Sequence, residues 1–109
     1  MNWIPLQNDA QLEEIQERSA NRPQVIFKHS TRCSTSAVVK GRLERAEKPE
    51  AIDFYFLDLI SNRPMSNKVA DLFQIDHESP QVLLIRDGQC IYDESHMGIT
   101  MADIVNAAA

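Results

Sequence analysis

Cysteine is scarce in this sequence, which has only Cys33 and Cys90, and that scarcity narrows the chemistry at once. Two thiols are too few to build a metal cage of their own, and these two lie too far apart for a local Cys-x-x-Cys unit. No apolar run approaches the roughly 20 residues that a membrane span requires. No basic stripe appears either, and the formal net charge is −5. Phosphate backbones are gripped by clustered Lys and Arg, so nucleic acid is not expected as a partner. The opening MNWIPLQNDAQLEE lacks a basic n-region and an uninterrupted apolar core, so a soluble, cytoplasmic protein with no membrane association is expected. A chain of 109 residues reads as one domain, 1–109, long enough to bury a modest core without disulfides or metals.

What is present alternates. Asp9 to Ser19 reads as a helix capped by Asn8 or Asp9, with Leu12 and Ile15 on one face, and Asn21-Arg22-Pro23 ends it. Gln24 to Lys28 is a short strand, and about Thr35 to Glu47 is a second helix stopped by Lys48-Pro49. Ile52 to Leu59 is β-rich, and Pro64 suits the first turn of a third helix running through Val69, Leu72 and Phe73. Asp87-Gly88 is a hairpin signal between two strand-like runs, and a final helix starts at Thr100 with a capping-box pattern. The predicted order is αβαβαββα. Strands separated by helices imply right-handed crossovers and a parallel pair, while the hairpin adds antiparallel strands. The expected fold class is α/β, a mixed four-stranded sheet flanked by helices on both faces.

Within this frame Cys33 stands at a strand-to-helix junction, where Val25-Ile26-Phe27 leads into Lys28-His29-Ser30-Thr31-Arg32-Cys33-Ser34-Thr35-Ser36. Cysteine in a small domain is often just a compact buried hydrophobe. Here the neighbours are polar, and Ser or Thr is what a helix start uses to satisfy its orphan N–H groups. Those groups and the positive end of the macrodipole stabilise a thiolate over a thiol. Lys28, His29 and Arg32 add positive charge nearby in sequence. The thiolate is the nucleophile of thiol–disulfide exchange, so Cys33 is the candidate catalytic residue. Cys90 falls in the hairpin and reads as a structural strand residue.

The element order, the thiol after the first core strand and the proline before the third together resemble the thioredoxin fold. That resemblance implies a cis Ser79-Pro80 bond beside Cys33, with the backbone of Ser79 offered to an extended thiol substrate. One departure matters. Where a two-cysteine redox motif places its resolving thiol, this chain has Ser36, so a mixed disulfide on Cys33 is not released internally through that position. More specifically, the Trp3-Ile4-Pro5-Leu6 opening, the Lys28 to Ser36 segment, Ser79-Pro80-Gln81 and His96-x-Gly98-Ile99-Thr100 resemble the bacilliredoxin type called YtxJ-like, small cytosolic monothiol proteins associated with bacillithiol.

The resemblance implies that Cys33 takes a low-molecular-weight thiol, bacillithiol, from mixed disulfides with S-thiolated client proteins. The small thiol is then a co-substrate, and no bound cofactor or metal is expected. Arg32, Ser34, Ser36, Ser79 and Pro80 are the expected substrate-binding residues, Arg32 because a guanidinium grips the carboxylates of bacillithiol. Lys28 and His29 are expected to support the thiolate, His96 to serve a turn or cap, and Trp3 and Met97 to pack. Two alternatives stand beside this reading: a non-catalytic thioredoxin-fold binding protein, and a carrier in which two subunits share an iron–sulfur cluster through Cys33, as some monothiol glutaredoxins do.

Overall fold

A computed structural model describes residues 1–109. Its elements are β1 (Ile4–Pro5), α1 (Asp9–Arg18), β2 (Gln24–His29), α2 (Ser34–Arg45), β3 (Asp53–Asp58), α3 (Arg63–Phe73), β4 (Gln81–Arg86), β5 (Gln89–Ser95), a single 3₁₀ turn over His96–Gly98, and α4 (Met101–Ala108). The local reasons are visible in the sequence. Asn8 and Gln11 form a reciprocal capping box on α1, Asn62 caps α3 with Pro64 in its first turn, and the Thr100 hydroxyl accepts the Asp103 N–H at the start of α4. Asp87 and Gly88 both take positive φ, 52° and 76°, which is the tight turn that the β4–β5 hairpin needs.

The sheet has five strands, in the order β1-β3-β2-β4-β5. β2 and β3 are parallel, and β4 runs antiparallel to both β2 and β5. The expected count of four was one short. β1 is only two residues, one of them a proline, and no alternating pattern marks it; it exists because Ile4 and Pro5 pair with Tyr55 and Phe56 on the free edge of β3. No helix is long and apolar enough to cross a membrane.

Alternation along β2 divides the core. Val25 and Phe27 pack with Val39, Leu43, Ile99 and Ile104 beneath α2 and α4. Ile26 packs on the other face with Leu12, Ile15, Met65 and Val69 of α1 and α3. Trp3 stacks on Phe27 at 5.4 Å between ring centroids and donates its indole N–H to Glu44. It packs as expected. Met97, by contrast, is half exposed at the surface, and the bond that fixes its segment is Arg42 Nη1 donating to its backbone carbonyl.

Candidate active site

Cys33 is the N-cap residue of α2, with extended backbone (φ −107°, ψ 117°) and no side-chain capping bond. It is half-buried and unpaired. The first helical hydrogen bond to it is Ala37 N–H to Cys33 O at 3.2 Å; the N–H groups of Ser34, Thr35 and Ser36 have no acceptor within the protein. Those three donors frame the position that an N-cap side chain occupies, so negative charge on the sulfur meets the positive end of α2. Ser34 and Arg32 are both exposed beside it, and the Arg32 guanidinium makes no hydrogen bond or ion pair that would hold it away from an incoming carboxylate. The Arg32 N–H is tied to Ser30 Oγ at 3.3 Å, which fixes the bend into the helix.

Ser79 and Pro80 end the loop before β4, at the same end of the sheet. Lys28 pairs with Gln81, so one further step of the antiparallel register sets Pro80 opposite His29. The Ser79–Pro80 peptide bond is cis. Pro80 is buried, and its carbonyl accepts the His96 N–H at 2.9 Å. Ser79 Oγ is a buried oxygen with no hydrogen-bond partner. His96 therefore does more than turn the chain. Its backbone, at φ 56°, anchors Pro80, while its Nε2 lies 3.2 Å from Glu78 Oε2 in the same loop.

Three expected site residues have other surroundings. Ser36 is fully buried, because as the third residue of α2 it faces β2, and its hydroxyl is taken up within the protein: it accepts the Ser30 N–H at 3.1 Å and meets His29 Nδ1 at 2.6 Å. His29 sits at the end of β2 with 6% of its surface exposed, among Phe27 and Phe56. Burial, and then the Lys40 ammonium, push its pKa below the usual histidine value, so it carries no charge to the thiol at neutral pH. The Ser36 hydroxyl hydrogen has only His29 Nδ1 as acceptor, which assigns the ring proton to Nε2.

Lys28 is the clearest correction. Neighbouring side chains on a strand point to opposite faces, so Lys28 turns from the α2 side toward α3. Its fully buried ammonium reaches Ser66 O at 3.3 Å and His77 Nδ1 at 3.2 Å, and burial lowers its pKa to about 8. That value lies below the ordinary 10.5, so between these two the unfolded chain holds more protons than the folded one. Burying Lys28 therefore costs stability at neutral pH, and the cost fades as pH rises through this window. Lys28→Met is expected to raise the unfolding free energy at pH 7 by up to about 3 kcal/mol, less the hydrogen bonds lost with the ammonium. Urea unfolding of both proteins at pH 7 and pH 10.5 checks this. A difference of the same size at both pH values would refute it.

Cys90, on β5, pairs with Ile85 of β4, which lies four residues beyond Gln81, and this places it about 13 Å down the sheet from the Cys33 end. It packs against the α1/α3 side, its Sγ donates to Tyr92 O, and burial pushes its pKa up to about 11. A disulfide needs Cα atoms within about 7 Å, so the two thiols have no route to each other in this fold. No group of three His, Cys, Asp or Glu side chains is arranged to hold a metal ion.

The assembly is thus one accessible thiol at a helix start, a serine buried in the resolving position and a cis-proline loop at the same sheet end. Known structures share the fold. The chain aligns with a candidate oxidoreductase with a thioredoxin fold at 25% identity and a TM-score of 0.84, covering 97% of this chain and 93% of that one. It aligns with the thioredoxin Mala s 13 of Malassezia sympodialis at 16% identity and a TM-score of 0.79 over 99% and 92% of the two chains. Spinach chloroplast thioredoxin f matches at 12% identity and a TM-score of 0.73 over 97% and 93%. The sequence model of the monothiol bacilliredoxin BrxC matches residues 4–104, a span that contains Cys33, Ser36 and Pro80. With a thioredoxin fold and a family match over nearly its full length, this chain belongs to the monothiol bacilliredoxin family.

Proposed function

We propose that Cys33 removes a low-molecular-weight thiol, bacillithiol, from mixed disulfides on cytoplasmic client proteins and passes it to a second free thiol. The observation that carries this reading is the pairing of an accessible Cys33 with a serine sealed in the resolving position. The thiolate attacks the small thiol's sulfur, forming Cys33–S–S–R, and the electron pair of the old S–S bond leaves with the client sulfur. A second thiolate then attacks the adduct and regenerates Cys33. Electrons balance, since one disulfide is exchanged for another at each step. Arg32 and the open N–H groups of α2 favour an anionic partner, and the Ser79-Pro80 loop supplies backbone to an extended client chain. No bound cofactor enters these steps.

Intact-mass measurement after exposure to oxidised bacillithiol, oxidised glutathione and the disulfide of coenzyme A tests the assignment. One adduct per chain is expected, formed fastest with bacillithiol, and none on Cys33→Ser. Equal rates with all three would remove the bacillithiol assignment, and loss of two hydrogens with no adduct would remove the monothiol mechanism.

A further inference from the structure

Between α2 and the C-terminal end of β3 the surface opens into a cavity of about 380 Å³ that the exchange chemistry above does not use. Its polar lining is His29, Thr31, Lys40, Glu44 and Asp58, with the Phe56 ring as an apolar wall. Thr31 lies two residues before Cys33. Ala37 and Gly41 also line the cavity, and residues 33, 37 and 41 share one face of α2, so the cavity begins about one helical turn, roughly 5.4 Å, from the thiol.

Small residues on a helix face make room but do not by themselves make a site. The independent observation is His29. Its side chain is more than nine-tenths buried, its Nδ1 is committed to Ser36, and its Nε2 has no hydrogen-bond partner while the ring lines the cavity. With the ring neutral and Nδ1 accepting, Nε2 presents one N–H donor in a place where the protein supplies nothing to receive it. An acceptor atom on a ligand completes that group. The charges around it are mixed. Lys40 Nζ spends one of its three hydrogens on Glu44 Oε2 at 2.9 Å and stands 5.8 Å from the centre of the Phe56 ring. Asp58 receives the Ile60 and Ser61 N–H groups on Oδ1 and leaves Oδ2 without a partner.

We propose that this cavity holds the polar body of a small zwitterionic thiol while its sulfur is joined to Cys33, with the carboxylate on His29 Nε2–H and Lys40 and the ammonium on Asp58. The proposal rests on the small-thiol reading above and adds to it a recognition site one turn along α2. In the step it serves, the Cys33 thiolate attacks a disulfide R–S–S–R′, the Cys33–S–S–R bond forms, and R′S⁻ departs with the electron pair, so no outside oxidant or reductant is consumed.

The test measures the rate of adduct formation on the reduced protein by intact mass with four simple disulfides: cystine, which carries both charges; dithiodiglycolate, carboxylate only; cystamine, ammonium only; and hydroxyethyl disulfide, which carries neither. Arg32 also draws carboxylates toward Cys33, so the quantity that discriminates is the change in the cystine to hydroxyethyl disulfide ratio between proteins. That ratio is expected to fall about fivefold in Lys40→Gln and in Asp58→Asn, the range of one partly screened charge pair. His29→Phe, which keeps the ring packing and removes the N–H, is expected to lower it as well. Should that buried substitution fail to fold, the two changes nearer the surface decide the question. Cystine should also outpace both singly charged disulfides on the unmodified protein. Unchanged ratios in the variants, or four equal rates on the unmodified protein, overturn the cavity site and leave the small-thiol reading intact. No adduct with any disulfide, bacillithiol's included, overturns both.

Discussion

Cys33→Ser is expected to reduce release of a small thiol from an S-thiolated client to the uncatalysed rate, while Cys90→Ser changes it by less than about twofold. Both are cysteine-to-serine changes, so the contrast isolates position. Cys33 is reachable and stands at the N-terminus of α2, just ahead of three backbone N–H groups that have no acceptor in the protein. Cys90 is held by packing and by its bond to Tyr92 O, and with its pKa near 11 only on the order of one thiol in a thousand is ionised at pH 8. A serine hydroxyl at position 33 can supply the side-chain cap that Cys33 does not make, so loss of activity there is not loss of fold. Following a small fluorescent thiol leaving a labelled client, with each variant at equal concentration, measures the effect. Residual catalysis in Cys33→Ser that disappears in the double variant would transfer the chemistry to Cys90.

How far such a site is readable in one chain depends on how local its determinants are. Cys33 at a helix start follows from a β-rich run meeting polar capping residues, and the hairpin follows from Asp87-Gly88; both are adjacent-residue signals, and both stand in the structure. The helix and strand order follows in the same way from periodicity and from Pro and Gly placement. β1 was not readable, because two residues carry no period and their pairing is a gift of the β3 edge. The direction of Lys28 is legible in the sequence, since strict alternation along Val25, Ile26, Phe27, Lys28 and His29 puts Lys28 and His29 on opposite faces. For Lys28, nearness to Cys33 in sequence is not nearness in space.

Other features arise only when elements meet. The contact between His29 and Ser36 spans seven residues across a strand and a helix, and it ties the expected thiolate support and an expected substrate contact to each other beneath the bend that carries Cys33. The pairing of Lys28 with His77 spans 49 residues, and the hold of His96 on Pro80 spans 16. No window of sequence displays these. Even so, the late His96-x-Gly98 segment has a physical meaning within them, since its backbone N–H fixes the loop whose last residues face the thiol end of the sheet.

Ser36 is where the difference between a monothiol and a dithiol protein is concentrated, and Ser36→Cys is expected to convert one into the other. Position 36 is three residues into the helix from Cys33, a Cα separation of roughly 5 Å in helical geometry and inside the range that a disulfide bridges. A sulfur introduced there replaces an oxygen that accepts the Ser30 N–H and donates to His29, in a fully buried place, so stability falls by about 1–2 kcal/mol. The redox outcome changes far more. In the unmodified protein a small-thiol adduct on Cys33 waits for an outside thiol; in the variant the neighbouring sulfur attacks it, expels the small thiol and closes an internal bridge. Non-reducing mass spectrometry after mild oxidation is expected to show the adduct replaced by loss of two hydrogens, with a crosslinked peptide joining positions 33 and 36. If the variant is folded and its adduct persists as in the unmodified protein, the chemistry of the missing second thiol is not what makes this site monothiol, and the buried His29–Ser36 contact has to be credited with holding position 36 out of reach.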